Sequence, residues 1–144
     1  MANEHILIIE DDQQLAAELQ SYFGELGYQM QAVPRDLEAV NHAMREALPG
    51  LILLAIPNSA DNASKDPICQ ELWNPTRSRY IPMIFMCTKD DPPKNYIQDL
   101  EIPGTNSIIK PMDFLELKIR VQNELFGIER WKEHDARWKR KSGS

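Results

Sequence analysis

Five short apolar runs alternate with stretches of helical periodicity along the chain. The first, His5-Ile-Leu-Ile-Ile9, is continuous and rich in β-branched residues, which reads as a strand buried on both faces. Asp11 or Asp12 follows as a helix N-cap, and Leu15, Leu19, Tyr22, Phe23 and Leu26 then recur at helical spacing up to Gly27, a C′ glycine. The second run, Tyr28–Val33, sets Tyr28, Met30 and Ala32 against Gln29 and Gln31. Such alternation predicts a strand near the edge of a sheet. Asp36 caps a second predicted helix carried by Leu37, Val40, Met44 and Ala47, and Pro49-Gly50 closes it with a turn.

Leu51–Ile56 is the most apolar run and reads as the central strand of a parallel sheet. Pro57 breaks it, and the Asn-, Ser- and Asp-rich stretch that follows reads as a loop. Asp66-Pro67 looks like an N-cap with proline at the first helical position, ahead of Ile68, Leu72 and Trp73 on one helix face. Pro82–Cys87 is a fourth buried strand, and a short helix is expected from Lys94 to Leu100. Ser107–Ile109 is a short fifth strand, and Asp113 caps a last helix through Phe114, Leu117, Val121 and Leu125. Strands alternating with helices in units of roughly 20–30 residues predict an α/β fold with a parallel sheet. Five such units fit a flavodoxin-like doubly wound five-stranded sheet, (βα)5, over residues 4–126. Residues 127–144 read as a basic, tryptophan-containing helical extension or linker. In sheets of this type a site forms beyond the carboxyl ends of the strands, which here means Glu10–Asp12, Ile56–Asn58, Thr88 and Lys110.

Composition narrows the function classes. A length of 144 residues suits one domain, and a net charge of −6 argues against a nucleic-acid surface over the domain as a whole. No apolar run is long enough to span a bilayer, and Met-Ala-Asn-Glu-His lacks the basic start of a signal peptide, so a cytoplasmic protein is expected. Cys69 and Cys87 stand apart without metal-ligand spacing and read as two thiols in a reducing compartment. His5, His42 and His134 show no mutual spacing for catalysis or metal binding, and no cofactor is expected.

Four segments, taken in order, carry a resemblance. Ile6-Leu-Ile-Ile-Glu-Asp-Asp12, Pro49-Gly-Leu-Ile-Leu-Leu-Ala-Ile-Pro57, Ile81-Pro-Met-Ile-Phe-Met-Cys-Thr88 and Ile108-Ile-Lys-Pro111 together resemble a bacterial two-component response-regulator receiver domain, CheY-like. The resemblance implies transfer of a phosphoryl group from a phospho-histidine to the domain's own aspartate. That chemistry needs an acidic pair to hold Mg²⁺, a hard cation that takes oxygen ligands. It also needs a hydroxyl and a lysine to bind phosphoryl oxygens. By resemblance, Glu10 and Asp11 match the acidic pair, Thr88 the hydroxyl residue and Lys110 the lysine. The position of the acceptor aspartate holds Ala55, and the aromatic switch position of the fifth strand holds Ser107. A methyl group neither accepts a phosphoryl group nor binds a metal. The chain therefore reads as a degenerate pseudo-receiver, not an enzyme, with at most weak Mg²⁺ binding at Glu10 and Asp11.

Several readings stay open at this level. Lys110 is either a relic anion site or the partner that neutralises Glu10 or Asp11. Asp61, Asp66, Asp90, Asp91 and Ser59 read as solvated loop and capping residues, with a non-standard phosphoacceptor as the alternative. A third reading is a small-molecule sensor whose pocket is widened by Ala55, Ser59 and Ser107. Trp131 and Trp138 share one face of a helix with His134 or Asp135, amid Arg130, Lys132, Arg137, Lys139, Arg140 and Lys141. That segment reads as a docking helix for a second copy or a partner's groove, as a basic contact to membrane or nucleic acid, or as a tail. The expected function is phosphorylation-independent protein–protein interaction in a signalling pathway. The resemblance implies a surface built from the fourth helix, fifth strand and fifth helix, with a histidine kinase, an output protein or a second copy as partner.

Overall fold

The computed structural model describes residues 4–56, 67–72, 81–87 and 106–127. Five strands, β1 (His5–Ile9), β2 (Gln29–Val33), β3 (Leu51–Ala55), β4 (Met83–Cys87) and β5 (Asn106–Ile109), form one sheet in the order β2-β1-β3-β4-β5. Every pairing is parallel. β3, the most apolar run, lies at the centre with all five residues buried, and the alternating β2 lies at an edge. Parallel neighbours require crossovers, so helices cover both faces and both faces must be apolar.

Three helices, α1 (Gln13–Glu25), α2 (Leu37–Glu46) and α3 (Pro67–Leu72), precede a last described helix spanning residues 114–127. Leu7, Ile9, Ile52, Leu54, Phe85 and Cys87 point to one side, against Val40 and Ala43 of α2 and Ile68 and Leu72 of α3. Ile6, Ile8, Leu51, Leu53, Ile84 and Ile108 point to the other, against Leu19 and Phe23 of α1 and Leu117, Val121 and Leu125 of the 114–127 helix. The period-2 alternation of strand side chains thus supplies both cores from the same β1, β3 and β4 runs. Burying each such Leu, Ile or Phe contributes about 1.5–3 kcal/mol.

The helix ends follow their predicted signals. Asp12 is the N-cap of α1, its carboxylate accepting from the amides of Gln14 and Leu15, both at 3.1 Å. Gly27 adopts φ +98°, a left-handed conformation that glycine takes without steric cost. Asp36 caps α2 through the amide of Ala39 at 3.0 Å, and Asp113 accepts from the amide of Leu115 at 2.9 Å as the last helix begins. Leu26 and Ala47 prove to be C-caps, and Leu26 and Leu37 are exposed, so the apolar stripes of α1 and α2 are narrower than the sequence pattern implies. The expected helix at 94–100 lies outside the described residues, as does everything from residue 128 onward.

Candidate functional site

The registers bring the strands' carboxyl ends level. Ile9 pairs with both Val33 and Leu54, Ala55 with Met86, and Cys87 with Ile109. Glu10 therefore emerges beside Ala55, and the pairing runs one residue further through Glu10 N–H to Val33 O at 3.0 Å and Lys110 N–H to Cys87 O at 2.7 Å. Glu10 is the one buried charged residue among those described, 6 % exposed. Both its carboxylate oxygens receive the Lys110 ammonium, at 2.8 and 2.9 Å, and the amide of Asp12 adds a third donor to Oε1 at 3.3 Å. A buried carboxylate needs such partners, because leaving it unpaired away from water is costly. Of the two partners open to Lys110, the structure selects Glu10. The Lys110-Pro111 peptide bond is cis.

Asp11 turns elsewhere. It is exposed, and its Oδ1 accepts the backbone N–H of Arg35 at 2.7 Å. The Arg35 guanidinium crosses the rim and donates from Nη1 to the carbonyl oxygen of Ala55 at 3.0 Å. Ala55 is 3 % exposed, and its side chain packs in the cluster under α1 and the 114–127 helix. At the end of β3 the rim thus presents a methyl group in the apolar core and a carbonyl already occupied by a cation.

This donor set fits Mg²⁺ poorly, because that ion takes one or two carboxylates with waters completing its octahedron, and of the acidic pair the rim leaves it only the exposed Asp11. Both Glu10 oxygens face Lys110, Asp11 Oδ1 faces an amide, and position 55 offers no carboxylate. Among the described residues no group of three or more His, Cys, Asp or Glu side chains gathers where it could hold a metal ion.

Thr88 lies outside the described residues, as do Asp61, Asp66, Asp90, Asp91, Ser59, Trp131 and Trp138. Ser107 sits in β5 opposite Phe85, with its side chain outside the described set. His42 is a surface residue whose Nε2 lies 3.0 Å from Glu46. Cys87 is a buried free thiol that donates to Ile108 O at 3.5 Å. A cleft of about 510 Å³ opens between the start of α1 and the Lys110–Phe114 segment. Asp12, Glu18 and Lys110 give it polar edges and Leu15, Met112 and Phe114 apolar walls; Ala55 does not line it. Ile109, Leu115, Ile119 and Phe126 leave half or more of their surface to solvent.

No family model matches the chain. Among curated proteins it is 30% identical over 125 residues to the TorCAD operon transcriptional regulatory protein TorR of Escherichia coli K12, covering 87% of this chain and 51% of TorR. The chain therefore spans about half the length of the curated relatives it matches. Among solved structures, the receiver domain of the TMAO respiratory system response regulator TorR is 30% identical, with a TM-score of 0.67, covering 86% of this chain and 98% of that one. The chain belongs to the response-regulator receiver family. A signal receiver domain of a histidine kinase from Syntrophus aciditrophicus is also similar, at 26% identity and a TM-score of 0.67, covering 88% of this chain and 92% of that one.

This receiver domain is accordingly a module of two-component signalling. No described helix is long and apolar enough to cross a membrane. One residue at its rim escaped the sequence reading. Arg35 stands just past the carboxyl end of β2, the one strand end without a candidate in the sequence. A basic residue directly before the Asp36 cap, at the end of β2, is the available signal.

Proposed function

We propose that this receiver domain signals without phosphotransfer, as a pseudo-receiver that acts through protein–protein contact. The observation that carries the reading is Ala55, a core methyl group at the position where the family pattern sets its acceptor. The Lys110–Glu10 pair supports it, because the lysine that would meet a phosphoryl oxygen is already engaged by a buried carboxylate. The partner is a histidine kinase, an output protein or a second copy, met in the cytoplasm. The half-exposed apolar side chains of Leu115, Ile119 and Phe126 on the 114–127 helix, and of Ile109 on β5, favour contact through these two elements. Residues 4–126 form the receiver unit, and 127–144, with Trp131 and Trp138, extend the contact.

The test is the intact mass of the chain after incubation with Mg²⁺ and acetyl phosphate. An unchanged mass is expected. A gain of one phosphoryl group would overturn the reading and direct mapping to Asp61, Asp66, Asp90 and Asp91.

A further inference from the structure

We propose that Arg35 is a built-in counter-cation that stands in for the divalent ion, so that the rim refuses Mg²⁺ even when a carboxylate is supplied at position 55. Three strand ends meet at this residue. Its backbone N–H binds Asp11 Oδ1 after β1, its guanidinium binds Ala55 O at the end of β3, and its own position follows β2. With Lys110 on Glu10, the two cations of the rim lie on a carboxylate and on the Ala55 carbonyl, and a backbone amide holds Asp11. The attraction that would hold a dication at the rim is met from within the chain.

The chemistry of both ions supports the exchange. Mg²⁺ sheds water reluctantly and demands near-octahedral oxygens, so it competes poorly for oxygens already bonded to N–H donors. A guanidinium is weakly hydrated, carries its charge at every working pH and forms directed bonds to carbonyl and carboxylate oxygens. A dication entering beside it also meets like-charge repulsion. At separations of several ångströms and surface-like screening, that repulsion weakens binding by ~tenfold or more. A supplied carboxylate would thus find the adjoining Ala55 carbonyl held by a fixed positive charge. This inference does not depend on how the native chain signals, because its readout is metal binding alone.

The experiment is calorimetric titration of Mg²⁺ into the native chain, the Ala55→Asp variant and the Ala55→Asp/Arg35→Ser double variant. No saturable binding is expected for the first two, and the double variant is expected to bind at least ~tenfold tighter than the single. An Ala55→Asp chain that binds Mg²⁺ as tightly as the double variant overturns the proposal. So does a folded double variant as weak as the single, which would assign the barrier to the Lys110–Glu10 pair. Should that double variant not fold, Ala55→Asp/Arg35→Gln, which keeps a donor to the position-55 carbonyl but removes the charge, carries the test through its melting temperature. A rise with added Mg²⁺ that Ala55→Asp alone lacks supports the proposal, and equal responses of the two chains refute it.

Discussion

Lys110 holds both carboxylate oxygens of Glu10, at 2.8 and 2.9 Å, across one hundred residues of sequence. The acid is almost fully buried and the lysine side chain about one quarter exposed. Removing the cation leaves the carboxylate buried with the Asp12 amide as its remaining observed donor. Lys110→Met should cost about 2–3 kcal/mol, less than for a fully buried pair because water reaches the vacated end. In a Glu10→Gln background the same change should cost less than half as much, since no charge is then stranded. Urea denaturation of the four chains measures the coupling, and additive losses would sink this account of the rim.

Ala55→Asp should destabilise the fold. The methyl group belongs to the core cluster under α1 and the 114–127 helix and is 3 % exposed. A carboxylate there is desolvated and lies beside Glu10, so a loss of about 1–3 kcal/mol is expected. The denaturation midpoint checks it, and an unchanged midpoint would mean that the position is wetter than its burial indicates.

Two glycines at the end of α1, Gly24 inside it and Gly27 just past it, should respond with opposite signs. Nothing lies within 4 Å of a Cβ added at Gly24 or at Gly27, so packing does not decide either case. Gly24 is helical, and Gly24→Ala should stabilise by about 0.5–1 kcal/mol. Gly27 has φ +98°, and Gly27→Ala should destabilise by about 1 kcal/mol. Thermal melts of the two variants test the C-cap directly.

Alkaline stability should report on Tyr28. Burial, and after it the Glu4 carboxylate, hold its phenol above the ordinary value of 10.0. A pKa raised in the folded state means that the unfolded chain loses the proton first. The stabilising contribution is then intact below 10.0 and declines as pH rises from there toward the folded-state pKa. Tyr28→Phe should keep the edge contact to Phe23, whose ring centroid lies 5.7 Å away, and flatten that decline. Denaturation midpoints at neutral and alkaline pH compare the two chains, and equal slopes would exclude Tyr28 as the source.

What could be read from the sequence was local or periodic. Continuous apolar runs marked strands with two covered faces, and Asp12, Asp36 and Gly27 marked helix ends, because a cap acts within a few residues of itself. The alternating Gln29 and Gln31 placed β2 at an edge for the same reason. The Glu10–Lys110 pair was legible only as a choice between two acids. The Arg35 contacts left no periodic trace, since Asp11 and Ala55 lie twenty or more residues away and meet Arg35 only once the registers are set. Strand ends shifted by a residue at Tyr28 and Pro82, where the apolar pattern continues beyond the ladder.

The place of Ala55 in the core also fixes the order in which sequence change can act on this domain. A chain given a carboxylate at position 55 in one step would carry an extra buried anion and a rim still occupied by Arg35 and Lys110. It would be less stable and still short of its metal. Exchanging Arg35 first would free the Ala55 carbonyl and leave Asp11 on the backbone N–H of residue 35, with no acceptor at position 55. On the proposed reading, a return to phosphotransfer would need positions 35 and 55 to change together, because neither exchange completes the rim alone.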